Sequence, residues 1–225
     1  MTGIERGCER CGTCCRQGGP ALHLEDLALL QSGKIPLSRL ITIRKGEWVH
    51  TPFSATAQPA RVELVKIAGS RGQWSCGYYD QTLGCTIYEH RPLACRVLKC
   101  WATEEILALV EKDTLSRRDI LPADHFLLPA MAEHERLCPS DDLHRLGEAG
   151  RGISEALKTE FSDRARREMA FRLQLVERFN LQLGDELFYF GRPFFQLLQL
   201  LGVRVSESPD GLRLHWENFR LEVPR

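Results

Sequence analysis

The sequence predicts an α+β protein, and three observations predict it. Eight cysteines fall in two stretches joined by short, β-branched, alternating runs. A segment after residue 152 repeats its apolar side chains at helical spacing. The last twenty or so residues read as two short strands around a Pro-Asp-Gly turn. The expected layout is a small Cys-rich module of short strands and helices over residues 1–140. A mainly helical C-terminal region, 141–225, ends in a β-hairpin, and the two parts have room to share one core.

Taken in order, residues 1 to about 20 form a Cys/Gly-rich loop ending in Gly18-Gly19-Pro20. A short helix is expected from about Glu25 to Ser32. Glu25 and Asp26 suit the positive end of its dipole, and Gly33 is a natural stop. Ile41-Thr42-Ile43 and Val62 to Ile67 alternate and are β-branched, as strands are. Gly69-Ser70-Arg71-Gly72 reads as a turn. Trp74 to Tyr79 reads as a strand carrying Cys76, and a turn over Asp80 to Gly84 leads to Cys85. Arg91-Pro92 opens a short helical segment, and Thr103 is placed to cap a helix through Lys112.

Pro139 to Gly152, polar and closed by Gly147, Gly150 and Gly152, reads as a boundary. Beyond it Ile153, Leu157, Phe161, Ala165, Met169 and Leu173 recur every four residues, and Val176 and Phe179 follow at threes. That is a long amphipathic helix whose stripe packs on the protein's own core. Pro193 opens a second apolar helix that Gly202 ends. Ser208-Pro209-Asp210-Gly211 then turns Val203-Arg204-Val205 into Leu212-Arg213-Leu214.

The 225 residues, 43% of them hydrophobic, suffice for one full core or a core plus a smaller module. Thirty basic and thirty acidic residues cancel, so nothing drives the whole chain toward nucleic acid or an anionic membrane. No run reaches the roughly 18 apolar residues of a bilayer span; the longest, Leu187 to Leu201, is broken by Arg192-Pro193 and two glutamines and reads as core. The N-terminus lacks the basic start and apolar run of a secretory signal, which predicts a cytoplasmic protein. In that reducing compartment nine cysteines are more naturally ligands than disulfides.

The thiols carry the chemistry. Cys8, Cys11, Cys14 and Cys15 spell C-x-x-C-x-x-C-C, and Cys76, Cys85, Cys95 and Cys100 form a second group. A C-x-x-C step lets two thiolates converge on one ion, and Gly12 relieves crowding where the backbone bends. Three cysteines at successive three-residue steps match a ferredoxin loop and equally serve a Cys-rich zinc site. The neighbours Cys14 and Cys15 point in different directions in helix or strand. Either two centres lie close together, or one centre keeps a spare thiol. Arg16, Arg91, Arg96 and Lys99 adjoin the cysteines in sequence, and the three arginines are expected to offset thiolate charge around the metal.

The pattern Cys8-x-x-Cys11-Gly12-x-Cys14-Cys15, Cys76, then Cys85-x-Ile87-Tyr88-x-x-Arg91-Pro92-x-x-Cys95-Arg96-x-x-x-Cys100 resembles the CxxCxxCC cysteine-cluster family, also called YkgJ-like. The resemblance spans roughly residues 8 to 100. It implies a zinc- or iron-chelating domain with those eight cysteines as metal ligands and an iron–sulfur cluster or Zn2+ as the bound group.

One branch of that family resembles flagellin lysine methylases, which would imply S-adenosylmethionine chemistry on a protein side chain. No glycine-rich nucleotide loop accompanies it in this chain. A structural zinc module that displays residues 141–225 to a protein partner is the third reading.

His134 and Cys138, four apart on one helix face, read as a surface imidazole and a buried thiol rather than a metal pair. His90 lies inside the second cysteine group, where eight thiols leave it no necessary role.

Overall fold

The computed structural model describes residues 8–51, 53–54, 56–70, 74–149, 152–209 and 211–220. Its architecture is α+β. One helical turn, α1 (Thr13–Arg16), carries Cys14 and Cys15. A 3-10 turn over Leu24–Asp26 leads into α2 (Leu27–Gln31). Then come β1 (Leu40–Ile43), β2 (Trp48–Val49), β3 (Gln58–Pro59), β4 (Leu64–Ile67), β5 (Tyr79–Asp80) and β6 (Gly84–Cys85). Short helices follow: α3 (Leu93–Val97), α4 (Glu104–Ala108) and α5 (Arg117–Ile120). The C-terminal part holds α6 (Leu128–Leu137), α7 (His144–Ala149), α8 (Glu155–Phe179), α9 (Leu183–Phe190) and α10 (Phe194–Leu200). The hairpin of β7 (Arg204–Ser208) and β8 (Gly211–His215) ends it.

Among the described residues the strands pair in twos, all antiparallel: β1 with β4, β2 with β3, β5 with β6, and β7 with β8. The β1–β4 ladder runs from Leu40↔Ile67 to Ile43↔Leu64. Alternation alone would leave one of its faces wet. Here Leu40 and Thr42 on one face and Ile43 on the other are all buried. α9 closes on the ladder, and Thr42 Oγ1 donates to the Phe188 carbonyl at 2.5 Å, which satisfies a polar side chain that the contact buries.

One core gathers Leu22, Leu40, Val65, Ile67 and Cys76 from the N-terminal half with Met131, Leu175, Phe188 and Phe190 from the C-terminal half. A second gathers Cys138, Leu143, Phe161, Ala165, Phe194 and Leu198. α8 supplies both cores. Its start is capped by Ser154 Oγ, which accepts the Leu157 N–H at 3.2 Å, and its end by Asn180 in the left-handed region, φ 50°.

Several expectations are corrected. The buried face of α8 is Phe161, Ala165, Glu168, Arg172 and Leu175, stepping by four and three, whereas Leu173 is exposed. The stripe of apolar residues turns outward because charged groups take the inward positions. Glu168 Oε1 meets His134 Nε2 at 2.9 Å and Arg172 Nε at 2.6 Å, and Glu168 Oε2 accepts the Phe194 N–H at 2.9 Å. Arg172 Nη2 donates to the carbonyls of Phe190 and Gly191. His134 is therefore buried and not a surface imidazole; Cys138 is buried as expected. The helix expected from Thr103 to Lys112 ends at Ala108, Thr103 makes no side-chain cap, and the chain then turns through positive φ at Glu111 and Asp113. The segment Pro139 to Gly152 contains α7 rather than only a boundary loop. Of Trp74 to Tyr79, only the Gly69↔Cys76 bridge and the start of β5 are extended pairings. Arg71, Gly72 and Asp210, in two expected turns, and Gly150, in the expected boundary, lie outside the described residues.

Burial pushes the His134 ring down to about 4, against the pull of Glu168, with the Arg44 and Arg172 guanidinium groups adding to the fall. Glu168 is held down to about 2 despite its burial, by Arg172 first and then by its bond to His134. Both groups carry folded-state values below their unfolded ones, so the unfolded chain binds more protons as the pH drops. Stability from His134 is complete above about 6.5 and is lost as the pH falls through 4; that from Glu168 is lost from about 4.5 toward 2. Denaturant titrations between pH 7 and 4.5 should show stability falling with a slope approaching ~1.4 kcal/mol per pH unit, one proton's worth. His134→Gln should flatten that slope, and an equal slope in the variant would contradict the assignment.

Candidate metal centre

The β1–β4 ladder leads directly to the cysteines. Past Ile67 the chain bridges Gly69 to Cys76, and the Cys76 N–H donates to the Cys15 carbonyl at 2.7 Å. That bond ties the first cysteine loop to the second segment, 61 positions later in the sequence (76 minus 15). Cys85 lies on β6 opposite Tyr79. The turn before it is set by Asp80 Oδ1, which accepts from Thr82 N, Thr82 Oγ1 and Leu83 N. Those three bonds also hold the Asp80 carboxyl below its usual range. Cys95 sits on α3, whose first amide, Leu93 N–H, is accepted by the buried Asp26 Oδ1 at 2.7 Å. Asp26 is thus a helix cap supplied from far away in the sequence.

All nine cysteines are free thiols. Cys76 is buried; Cys14, Cys15, Cys85 and Cys95 are half-buried; Cys8, Cys11 and Cys100 are exposed. Cys14 Sγ and Cys15 Sγ stand 4.0 Å apart. Sulfurs on one tetrahedral ion with bonds of about 2.3 Å would stand roughly 3.8 Å apart. The neighbouring pair is therefore less divergent than its sequence position implies. Among the described residues no three Cys, His, Asp or Glu side chains stand close enough together to hold an ion as they are.

The electrostatics of the thiols link the two cysteine stretches. Burial pushes Cys15 up to about 12, with Cys14, Cys76 and Cys85 adding to it. Burial also drives Cys95 far up, with help from Cys76, Cys14, Cys15 and Cys85, and raises Cys76 with help from Cys85 and Cys14. Cys100 is raised by slight burial and then by Cys14, Cys11 and Cys8. Cys11 alone is lowered, chiefly by its bond to Thr13 Oγ1 at 3.3 Å. The neighbours fall into an inner group of Cys15, Cys76, Cys85 and Cys95 and an outer group of Cys8, Cys11 and Cys100, with Cys14 between them. Crowded soft donors fit a bound cation, which favours their thiolate forms against the burial, and then the mutual repulsion, that raise them.

Of the arginines expected around the metal, Arg16 stays in the first cysteine loop, where its charge helps to lower Cys11, while Arg91 and Arg96 hold other partners. Arg16 donates to the Cys11 carbonyl at 3.1 Å, to Tyr79 Oη at 2.9 Å and to Thr13 Oγ1 at 3.2 Å. Arg91 Nε donates to the Tyr88 carbonyl at 2.8 Å and its guanidinium lies over the Tyr88 ring. Arg96 pairs with Glu25 at 2.6 Å, and Lys99 pairs with Glu105. His90 is exposed. Cys138 lies in the second core, its thiol pushed up to about 12 by burial, and forms no part of the group.

Gly12 is required for a reason the sequence did not disclose. Its φ is +72°, and a Cβ there would stand 2.3 Å from the Tyr79 ring. Gly12→Ala removes no thiol, yet it should push the loop off Tyr79. Metal content measured by mass spectrometry should drop by half or more, and full retention would mean the loop does not need this approach. The sequence reading placed Asp26 at a helix start, Tyr79 at a strand end and Tyr88 in the family pattern; their contacts with Leu93, Arg16 and Arg10 escaped it because those partners lie far along the chain.

Residues 7–113 match the family model described as "CxxCxxCC: Putative zinc- or iron-chelating domain". No curated protein and no solved structure matches the chain.

Proposed function

Starting from residues 7–113 as a CxxCxxCC domain, we propose that this protein binds zinc or iron through Cys8, Cys11, Cys14, Cys15, Cys76, Cys85, Cys95 and Cys100. The observation that carries the reading is the meeting of the two cysteine stretches at the Cys15 carbonyl and the Cys76 amide, with every thiol left free. The inner four form one ligand set, shielded by the core that Cys76 joins. The outer three, closed by Cys14, form a second set open to solvent. Thiolate donors of this kind supply a soft, electron-rich pocket for Zn2+ or for the irons of an iron–sulfur cluster. The three-residue steps from Cys8 to Cys14 favour the iron–sulfur reading, because they match a ferredoxin loop.

The C-terminal helices act here as a buttress. α9 covers the ladder from which Cys76 hangs, and the first core runs from Cys76 into α8 through Leu175. We assign the protein to the reducing cytoplasm, where free thiols persist. No helix among the described residues is long and apolar enough to cross a membrane. The test is anaerobic purification followed by elemental analysis and visible absorption. Iron with acid-labile sulfide and a brown colour support the cluster, and stoichiometric zinc in a colourless protein supports zinc. Neither metal in repeated anaerobic preparations ends the proposal.

A further inference from the structure

The first cysteine loop reaches its place by contacts that involve no sulfur. The Arg10 guanidinium carbon stands 3.7 Å from the centre of the Tyr88 ring, and that of Arg91 stands 3.5 Å from it. Two guanidinium groups this close to one ring centre cannot share a face without overlapping, so they take opposite faces. Arg10 lies between Cys8 and Cys11, and Arg91 between Cys85 and Cys95. The ring is therefore a bridge between the two cysteine stretches. Arg10 also carries φ +55°, a left-handed conformation that costs a non-glycine residue energy and persists only where the surroundings impose it. Its ion pair with Glu89, at 3.9 Å between two exposed side chains, is too weak to impose it. Arg10 also lies on the face of Tyr88, and a Cβ on Gly84 would stand 3.8 Å from the Arg10 carbonyl oxygen. Farther along the loop, Arg16 repeats the device on Tyr79 through its hydroxyl and, at 5.8 Å, its ring.

We propose that Tyr88, held between Arg10 and Arg91, is a positioning residue that docks the first cysteine loop onto the second cysteine segment before any metal binds. The inference rests on the metal-binding reading above and adds an order of events. The backbone of the loop is placed first, and only the thiol side chains close on the ion. A cation over an aromatic face needs the π surface and not the hydroxyl. Tyr88→Phe should therefore behave as the parent, and Tyr88→Leu should not.

Two measurements on the full chain test this. In the metal-free protein, hydrogen exchange at the Cys76 amide, which donates to the Cys15 carbonyl, reads the docking directly, and exchange over residues 11–18 reads the turn that the docking holds, through the Arg16 N–H bond to Gly12 O and the Gly18 N–H bond to Cys15 O. Protection is expected in the parent and in Tyr88→Phe, with at least tenfold faster exchange in Tyr88→Leu. Zn2+ release to a competing chelator should also be about tenfold faster in Tyr88→Leu, with the same number of ions bound at saturation. An unprotected loop in the metal-free parent, or equal exchange in Tyr88→Leu, overturns the inference even if the protein binds metal. A parent that takes up neither zinc nor iron overturns the metal reading, and the exchange result still decides the docking.

Discussion

Replacing Cys95 with serine should remove about one metal equivalent and lower the melting temperature by about 10 °C, the equivalent of ~4 kcal/mol at this chain length. Cys95 feels the thiols Cys76, Cys14, Cys15 and Cys85 and lies on α3, whose first amide is bonded to the buried Asp26. A ligand lost there removes binding energy that is also folding energy. Cys11→Ser should likewise lose metal, because it breaks the outer set, but its effect on melting should be smaller, since Cys11 is exposed and joins no core. Calorimetry paired with metal analysis reads both. Equal metal content and melting in Cys95→Ser would contradict the inner set, and equal destabilisation by the two variants would contradict the division into two.

Glu168→Gln should destabilise the protein by ~3–5 kcal/mol at pH 7, as expected when a buried charge pair loses one partner. Glu168 and Arg172 are each about 1% exposed. The carboxylate accepts from His134, Arg172 and the Phe194 amide at once. An amide in its place takes away the carboxylate bonded to Arg172 Nε and leaves that guanidinium the longer contact with Glu186, 4.0 Å from Nη1, and the same site joins α6, α8 and the start of α10. Urea denaturation gives the number. A loss under 0.5 kcal/mol, on the scale of ordinary surface substitutions, would show that the bond network is dispensable. Metal content should not change in this variant, because none of the eight cysteines touches the network.

The elements that could be read from sequence were those set by local rules. The C-terminal hairpin follows from a Pro-Asp-Gly turn between alternating runs, and α8 from a four-residue apolar repeat. β1 and β4 follow from β-branched runs, although their pairing does not. What escaped was set by partners distant in sequence. The inward face of α8 was misread after Phe161 and Ala165 because Glu168 and Arg172 are buried only by virtue of His134 and the 190–194 turn. Arg44, Glu47 and Arg192 likewise look like surface charges in sequence. They are buried together, Glu47 joining Arg44 at 3.2 Å to Arg192 at 2.8 Å. At the cysteines, spacing showed which thiols belong to the chemistry. It did not show that Cys76 reaches the Cys15 backbone, that Asp26 caps α3, or that Tyr88 is flanked by two arginines.

X-ray absorption at the metal edge, on protein purified without oxygen, addresses the claim on which the account depends. A first shell of sulfur alone at about 2.3 Å is expected, with no nitrogen or oxygen ligand. A shell dominated by nitrogen or oxygen near 2.0–2.1 Å would place the metal on histidine or carboxylate side chains, and the cysteine centre described here would be wrong.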